Sequence, residues 1–131
     1  MGGIVPYKYP DDVITVDKAV DQLNKEFPEF WEVSVFKEGK RAYMLFDEFG
    51  IWVGERIQER TAEAHKMVVK SFSFVNECLE KGNDEVVNII EASFLEAVND
   101  YLDDSVEVGK ILHKAGVVFL EKWRNYLRGK F

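Results

Sequence analysis

The stretch from residue 62 to residue 101 constrains the fold most tightly. Ala64, Val68, Phe72, Val75 and Leu79 recur three or four positions apart. That spacing gathers them on one face of an α-helix over residues 62–81 and does not suit a strand, where the repeat is two. Gly82 follows where the C′ residue of a helix belongs. Asn83 or Asp84 then caps a second helix, and Asp84 and Glu85 sit near its positive end. This helix, about 85–101, has Val87, Ile90, Phe94, Val98 and Tyr101 on one side, with Val86, Ile89 and Leu95 widening the face. So broad an apolar surface predicts a central position. Two amphipathic helices joined by a tight turn bury their stripes by packing on other helices.

The rest of the chain reads in the same way. Thr15 is placed to cap a helix whose apolar residues are Val16, Ala19, Val20, Leu23 and Phe27, and Pro28 ends it. Phe46, Phe49, Val53 and Ile57 predict a helix from about Met44 to Arg60. Gly50 and Gly54 share a face of that helix, which signals either close helix packing or a break. Asp103-Asp104-Ser105 makes a turn and a cap before a last helix, Val106 to Leu127, striped by Leu112, Ala115, Phe119, Trp123 and Leu127. Residues 29–46 admit two readings, a short β-hairpin near 32–46 or a short helix, a loop and a second helix. The expected fold is all-α, a compact bundle of about five or six helices, with that hairpin as the alternative. The 131 residues suit one helical domain, 1–131, whose residues 1–14 form an irregular lead-in because Pro6 and Pro10 disfavour helix.

Composition excludes several classes. Hydrophobic residues make up 47% and charged residues 31%, so the chain can build a core and is not of the disordered type. The net charge of −7 argues against sequence-independent nucleic-acid binding and against anionic membranes, and favours a basic protein as partner. Residues 1–10 lack the apolar run of a secretory leader, and nothing approaches the ~20 apolar residues of a membrane span. A cytoplasmic location is the default expectation. The lone Cys78 cannot form an internal disulfide; it falls in the apolar register of its helix and reads as a buried structural thiol.

No catalytic constellation stands out. His65 and His113 lie on different helices and belong to no HExxH motif or i, i+4 pair. Phosphate-binding glycine loops and the GxSxG elbow are absent. The acids Asp100, Asp103, Asp104 and Glu107 do not follow the ligand order of a calcium loop. No cofactor or metal is implied, and the expectation is a non-enzymatic protein.

Charge segregation is the feature that does stand out. Between Glu77 and Glu107 the chain carries Glu77, Glu80, Asp84, Glu85, Glu91, Glu96, Asp100, Asp103, Asp104 and Glu107 against Lys81 alone, a net −9. From Val108 to Phe131, Lys110, Lys114, Lys122, Arg124, Arg128 and Lys130 face only Glu121, a net +5. The acidic stretch therefore either docks a basic partner, through Glu77, Glu80, Asp84, Glu85, Glu91, Glu96, Asp100, Asp103 and Asp104, or is neutralised by the basic last helix. A second cluster, Phe30, Trp31, Phe36 and Tyr43, reads as core or lid packing more readily than as an exposed binding surface.

The run from Phe74 to Glu96 contains a helix, a Gly82-Asn83-Asp84-Glu85 turn, and then Val86, Asn88, Ile90, Ser93, Phe94, Leu95 and Glu96 in the pattern V-x-N-x-I-x-x-S-F-L-E. With Phe46-Asp47-Glu48-Phe49 and Lys25-Glu26-Phe27-Pro28-Glu29, it resembles a bacterial family of small helical proteins of unknown function, over about residues 16–127. Residues 29–45 depart from the pattern. Ser93 and Phe94 match packing positions, and Asn88 a helix-to-loop hydrogen bond. Proteins of this kind look like the immunity proteins of toxin systems, which are small, acidic and cytosolic. The resemblance implies a protein that neutralises a toxin by occluding a basic active-site cleft. It supplies no catalytic residues. The competing readings are a carboxylate/His pocket formed only in the fold, as in a small enzyme or ligand-binding protein, and a self-associating helical adaptor.

Overall fold

The structure, a computed structural model, describes residues 13–37 and 41–101. The expectations for residues 1–12, for Asp103, Asp104, Glu107 and His113, and for the helix over 106–127 lie outside the described residues. Within them the fold is all-α. The helices are α1 (Val16–Glu26), α2 (Pro28–Val33), α3 (Ala42–Glu59), α4 (Ala62–Lys81), α5 (Asp84–Ile89) and α6 (Leu95–Asn99). A π-helical turn, Ile90–Phe94, joins α5 to α6 as one rod.

Local chemistry sets most of the boundaries. The Thr15 hydroxyl accepts from Lys18 N–H, Thr61 from Ala64 N–H, and the Asn83 side chain from Val86 N–H. Each supplies a partner for an otherwise orphaned donor in the first turn, worth about 1 kcal/mol. The last turn of α1 is closed from a distance: Lys70 on α4 donates to the Glu26 carbonyl and lies over the Phe27 ring, 4.9 Å from its centroid. Ahead of α1, Ile14 N–H donates to the Lys81 carbonyl at 2.9 Å, and Asn83 N–H donates to the Ile14 carbonyl at 3.0 Å. α1 and α5 thus start side by side from one short parallel bridge.

Two expectations are corrected here. The hairpin near 32–46 does not form among the described residues. Pro28 does more than end α1; it opens α2, where its missing N–H costs nothing. The β-prone Val33 and Val35 are 64% and 75% exposed and so have no sheet partner or core to reward an extended pairing. Gly82 is not a left-handed C′ residue either: its φ of −70° and ψ of 149° are extended. A side chain is excluded there by space, because a Cβ would lie 2.2 Å from the Cys78 carbonyl oxygen.

The central place belongs to α3, which packs on α4, the π-turn and α6 and buries Leu45, Phe46, Phe49, Trp52 and Val53. The Phe49 ring lies 5.0–6.5 Å from the rings of Phe27, Phe30, Phe46, Trp52, Phe74 and Phe94. Burying each such ring is worth about 1.5–3 kcal/mol, and the tilted and edge-on pairings add to it. The glycines of α3 mark close packing and not a break. A Cβ on Gly50 would lie 2.8 Å from Ala97 Cβ and 2.9 Å from the Phe94 carbonyl oxygen, and one on Gly54 would enter the Tyr101 ring.

The π-turn has a cause in the sequence. Val86, Ile90, Phe94 and Val98 are buried and four apart; Ile89, Ser93 and Ala97, a second buried row, run on to the half-buried Tyr101. Each step of four over-rotates an α-helix by about 40°, so Val98 would drift about 120° from Val86. One wider turn takes up much of that drift. Leu95 N–H accordingly donates to the Ile90 carbonyl, five residues back. The same adjustment keeps Asp84, Asn88, Ala92, Glu96 and Asp100, also four apart, exposed along the opposite side.

Candidate functional site

That solvent row carries the acidic strip. Asp84 and Glu85 occupy the first turn of α5, where the helix dipole favours negative charge, and both are exposed. Glu96 and Asp100 are exposed farther along the rod, roughly 17–18 Å and 23–24 Å away by helical rise. Glu80, at the end of α4, is exposed and accepts from the Asn76 amide at 3.2 Å. The other sequence-derived candidates stand apart. Glu77 is half-buried, and Glu91 is half-buried and already has an interaction partner. An ion pair between Arg56 Nε and Glu59 Oε1, at 3.0 Å, lies elsewhere. Among the described residues, the side chains of Asp84, Glu85, Glu96 and Asp100 take part in no hydrogen bond or ion pair.

A second feature has no counterpart in the sequence. A half-open cleft of about 630 Å³ lies between α1 and the start of α3. Val16, Asp17, Val20 and Asp21 form the α1 wall; Phe36, Lys37, Arg41, Ala42 and Leu45 form the other. The loop wall is held by one carboxylate. Glu48 accepts from the Ser34 hydroxyl and, at 2.9 Å, from Val35 N–H, while Phe36 N–H donates to Ser34 Oγ at 3.2 Å. One cross-link ties the rod to the start of α3: Asn88 Nδ2 donates to the Tyr43 hydroxyl at 2.6 Å, and Tyr43 follows the cleft residue Ala42 in the chain. Asn88 therefore bonds to a helix, not to a loop.

The remaining candidates resolve simply. Phe30 is core, Trp31 and Phe36 pack against it, and Tyr43 is exposed. Cys78 is fully buried; burial, and secondarily the charges of Glu77 and Glu26, push its pKa from 9.0 to about 12. It is protonated at neutral pH and a poor nucleophile. His65 is half-buried on α4, and no group of three or more His, Cys, Asp or Glu is placed to hold a metal among the described residues. Within the same residues no helix is long and apolar enough to cross a membrane.

No protein of curated function matches this chain, and no solved structure matches it. The model of one family, described as a domain of unknown function (DUF7674), matches residues 20–129, and the chain belongs to that family.

Proposed function

We propose that this chain is a non-catalytic protein-binding protein of bacterial, cytoplasmic origin, an immunity protein that neutralises a toxin by covering a basic active-site cleft. The observation that carries the reading is the exposed strip of Asp84, Glu85, Glu96 and Asp100 on the rod, whose side chains have no partner among the described residues. Asp84, Glu96 and Asp100 share the exposed row and Glu85 flanks Asp84; the like charges at each end repel one another and lower the stability of the isolated fold. A complementary surface relieves that repulsion on binding. Such a strip also speeds encounter with a basic partner and rejects acidic ones. Its length of roughly 23–24 Å suits one side of a standard interface of about 800 Å² per partner. The glutamates at 77 and 91 contribute little on this reading, because both are half-buried.

The test is a pull-down with tagged protein from its native host, paired with the variant Asp84→Lys, Glu96→Lys, Asp100→Lys. The expected result is one stoichiometric basic protein that the variant fails to retain, and whose activity the wild-type protein blocks at equimolar ratio. A partner retained equally by the variant removes the strip from the interface. A captured enzyme that stays fully active when bound removes the neutralising role.

A further inference from the structure

The cleft between α1 and the start of α3 has chemistry of its own. Its floor is apolar, from Val16, Val20, Phe36 and Leu45. Its rims carry opposite charges: Asp17 and Asp21 on α1, Lys37 and Arg41 on the other wall. Asp17 and Asp21 are one helical turn apart, so the two carboxylates line the rim together. The rims do not close on each other. Lys37 Nζ reaches the Glu32 carbonyl at 3.4 Å, Arg41 Nη1 approaches Met44 Sδ at 3.8 Å, and neither pairs with an α1 carboxylate. A volume of about 630 Å³ lies inside the range of small-ligand sites, roughly 300–1,000 Å³, in which a mostly apolar lining gives affinity and a few polar groups give orientation.

From this arrangement we infer that the cleft binds a zwitterionic apolar ligand of short-peptide size, its ammonium group on Asp17 and Asp21 and its carboxylate on Arg41 and Lys37. A purely anionic ligand would meet two carboxylates, and a purely cationic one two cations. Only a ligand bearing both charges around an apolar body satisfies both rims and the floor. The site is distinct from the acidic strip and does not depend on a protein partner.

The probe is the tripeptide leucyl-phenylalanyl-leucine, titrated into ¹⁵N-labelled protein and followed by amide shifts. Saturable shifts are expected at Val16, Val20, Phe36, Ala42 and Leu45. Acetylating its amine or amidating its carboxylate should each weaken binding about 2–5-fold, the scale of one exposed ion pair. Single charge reversals should invert those preferences. Asp21→Lys should bind the acetylated, anionic peptide better than the free one, and Arg41→Glu the amidated, cationic peptide. These exposed positions leave the core untouched, so folding is preserved, and the pattern of preference reports charge placement separately from stability. No saturable shift at the cleft up to millimolar peptide overturns the proposal. So does equal binding of free and capped peptides, or a preference that neither reversal changes.

Discussion

Replacing Gly50 by alanine tests the close packing of α3 on the rod formed by α5, the π-turn and α6. In an exposed helix the change would stabilise by about 1 kcal/mol through helix propensity. Here the new Cβ falls 2.8 Å from Ala97 Cβ and 2.9 Å from the Phe94 carbonyl oxygen. Neither atom sits at the end of a rotatable side chain, so relief requires the helices to part. Overpacking of this kind costs about 1–3 kcal/mol, and immovable neighbours put this site toward the upper end. The net expectation is a loss of about 1–2 kcal/mol, or roughly 3–8 °C in Tm for a chain of this length. Gly54→Ala is the internal control. Its Cβ meets the ring of the half-buried Tyr101, 2.1 Å away, and that ring can swing aside. Gained propensity then roughly offsets lost ring packing, leaving stability within about 1 kcal/mol of wild type. Thermal and urea denaturation followed by circular dichroism measures both. A Gly50→Ala protein as stable as wild type, or more stable than Gly54→Ala, would refute the inferred packing.

Three further outcomes follow from particular contacts. Glu48→Ala removes the acceptor for the Ser34 hydroxyl and Val35 N–H; it should cost about 1–2 kcal/mol and raise amide exchange at Val35, and unchanged exchange would show that the clasp holds nothing. Arg60 ends α3 with a left-handed φ of 56°, so Arg60→Gly should stabilise by about 1 kcal/mol in the same denaturation assays, and a loss would contradict the backbone reading. Cys78 should resist thiol reagents in the native state at neutral pH and react on unfolding. Its native pKa lies above the unfolded value, so its contribution to stability is fully present below about pH 9 and is lost as pH rises toward about 12. Rapid native-state labelling at pH 7 would contradict its burial.

How much of this was legible in the sequence follows from the range of the interactions involved. The α4 stripe and the caps at Thr15 and Asn83 are local, and the sequence states them directly; the Thr61 cap, equally local, is seen in the structure. The acidic strip is also local in origin, since its charges lie close together along the chain. The split between exposed Glu96 and half-buried Glu91 is not, because it depends on the π-turn. That turn did leave a trace: two buried rows spaced by four, where an ideal helix averages 3.6. Residues 29–46 were ambiguous because what decides them is distant. Glu48 fixes the loop from fourteen residues beyond Ser34, and Phe30 joins the core through Phe49 and Trp52. Gly82 misled for the same reason, its extended backbone being set by its bridge to Ile14. The cleft has no local signature at all, for its two walls come from separate segments.

The central claim is that the exposed acids of the rod form the docking surface for a basic protein. The most direct measurement is the association rate of the captured partner at two salt concentrations, for wild type and for Asp84→Lys, Glu96→Lys, Asp100→Lys. The account predicts a wild-type rate that falls steeply with salt, and a variant about 10–1,000-fold slower at low salt with an unchanged circular dichroism spectrum. Equal rates for the two proteins, with little salt dependence in either, would contradict it.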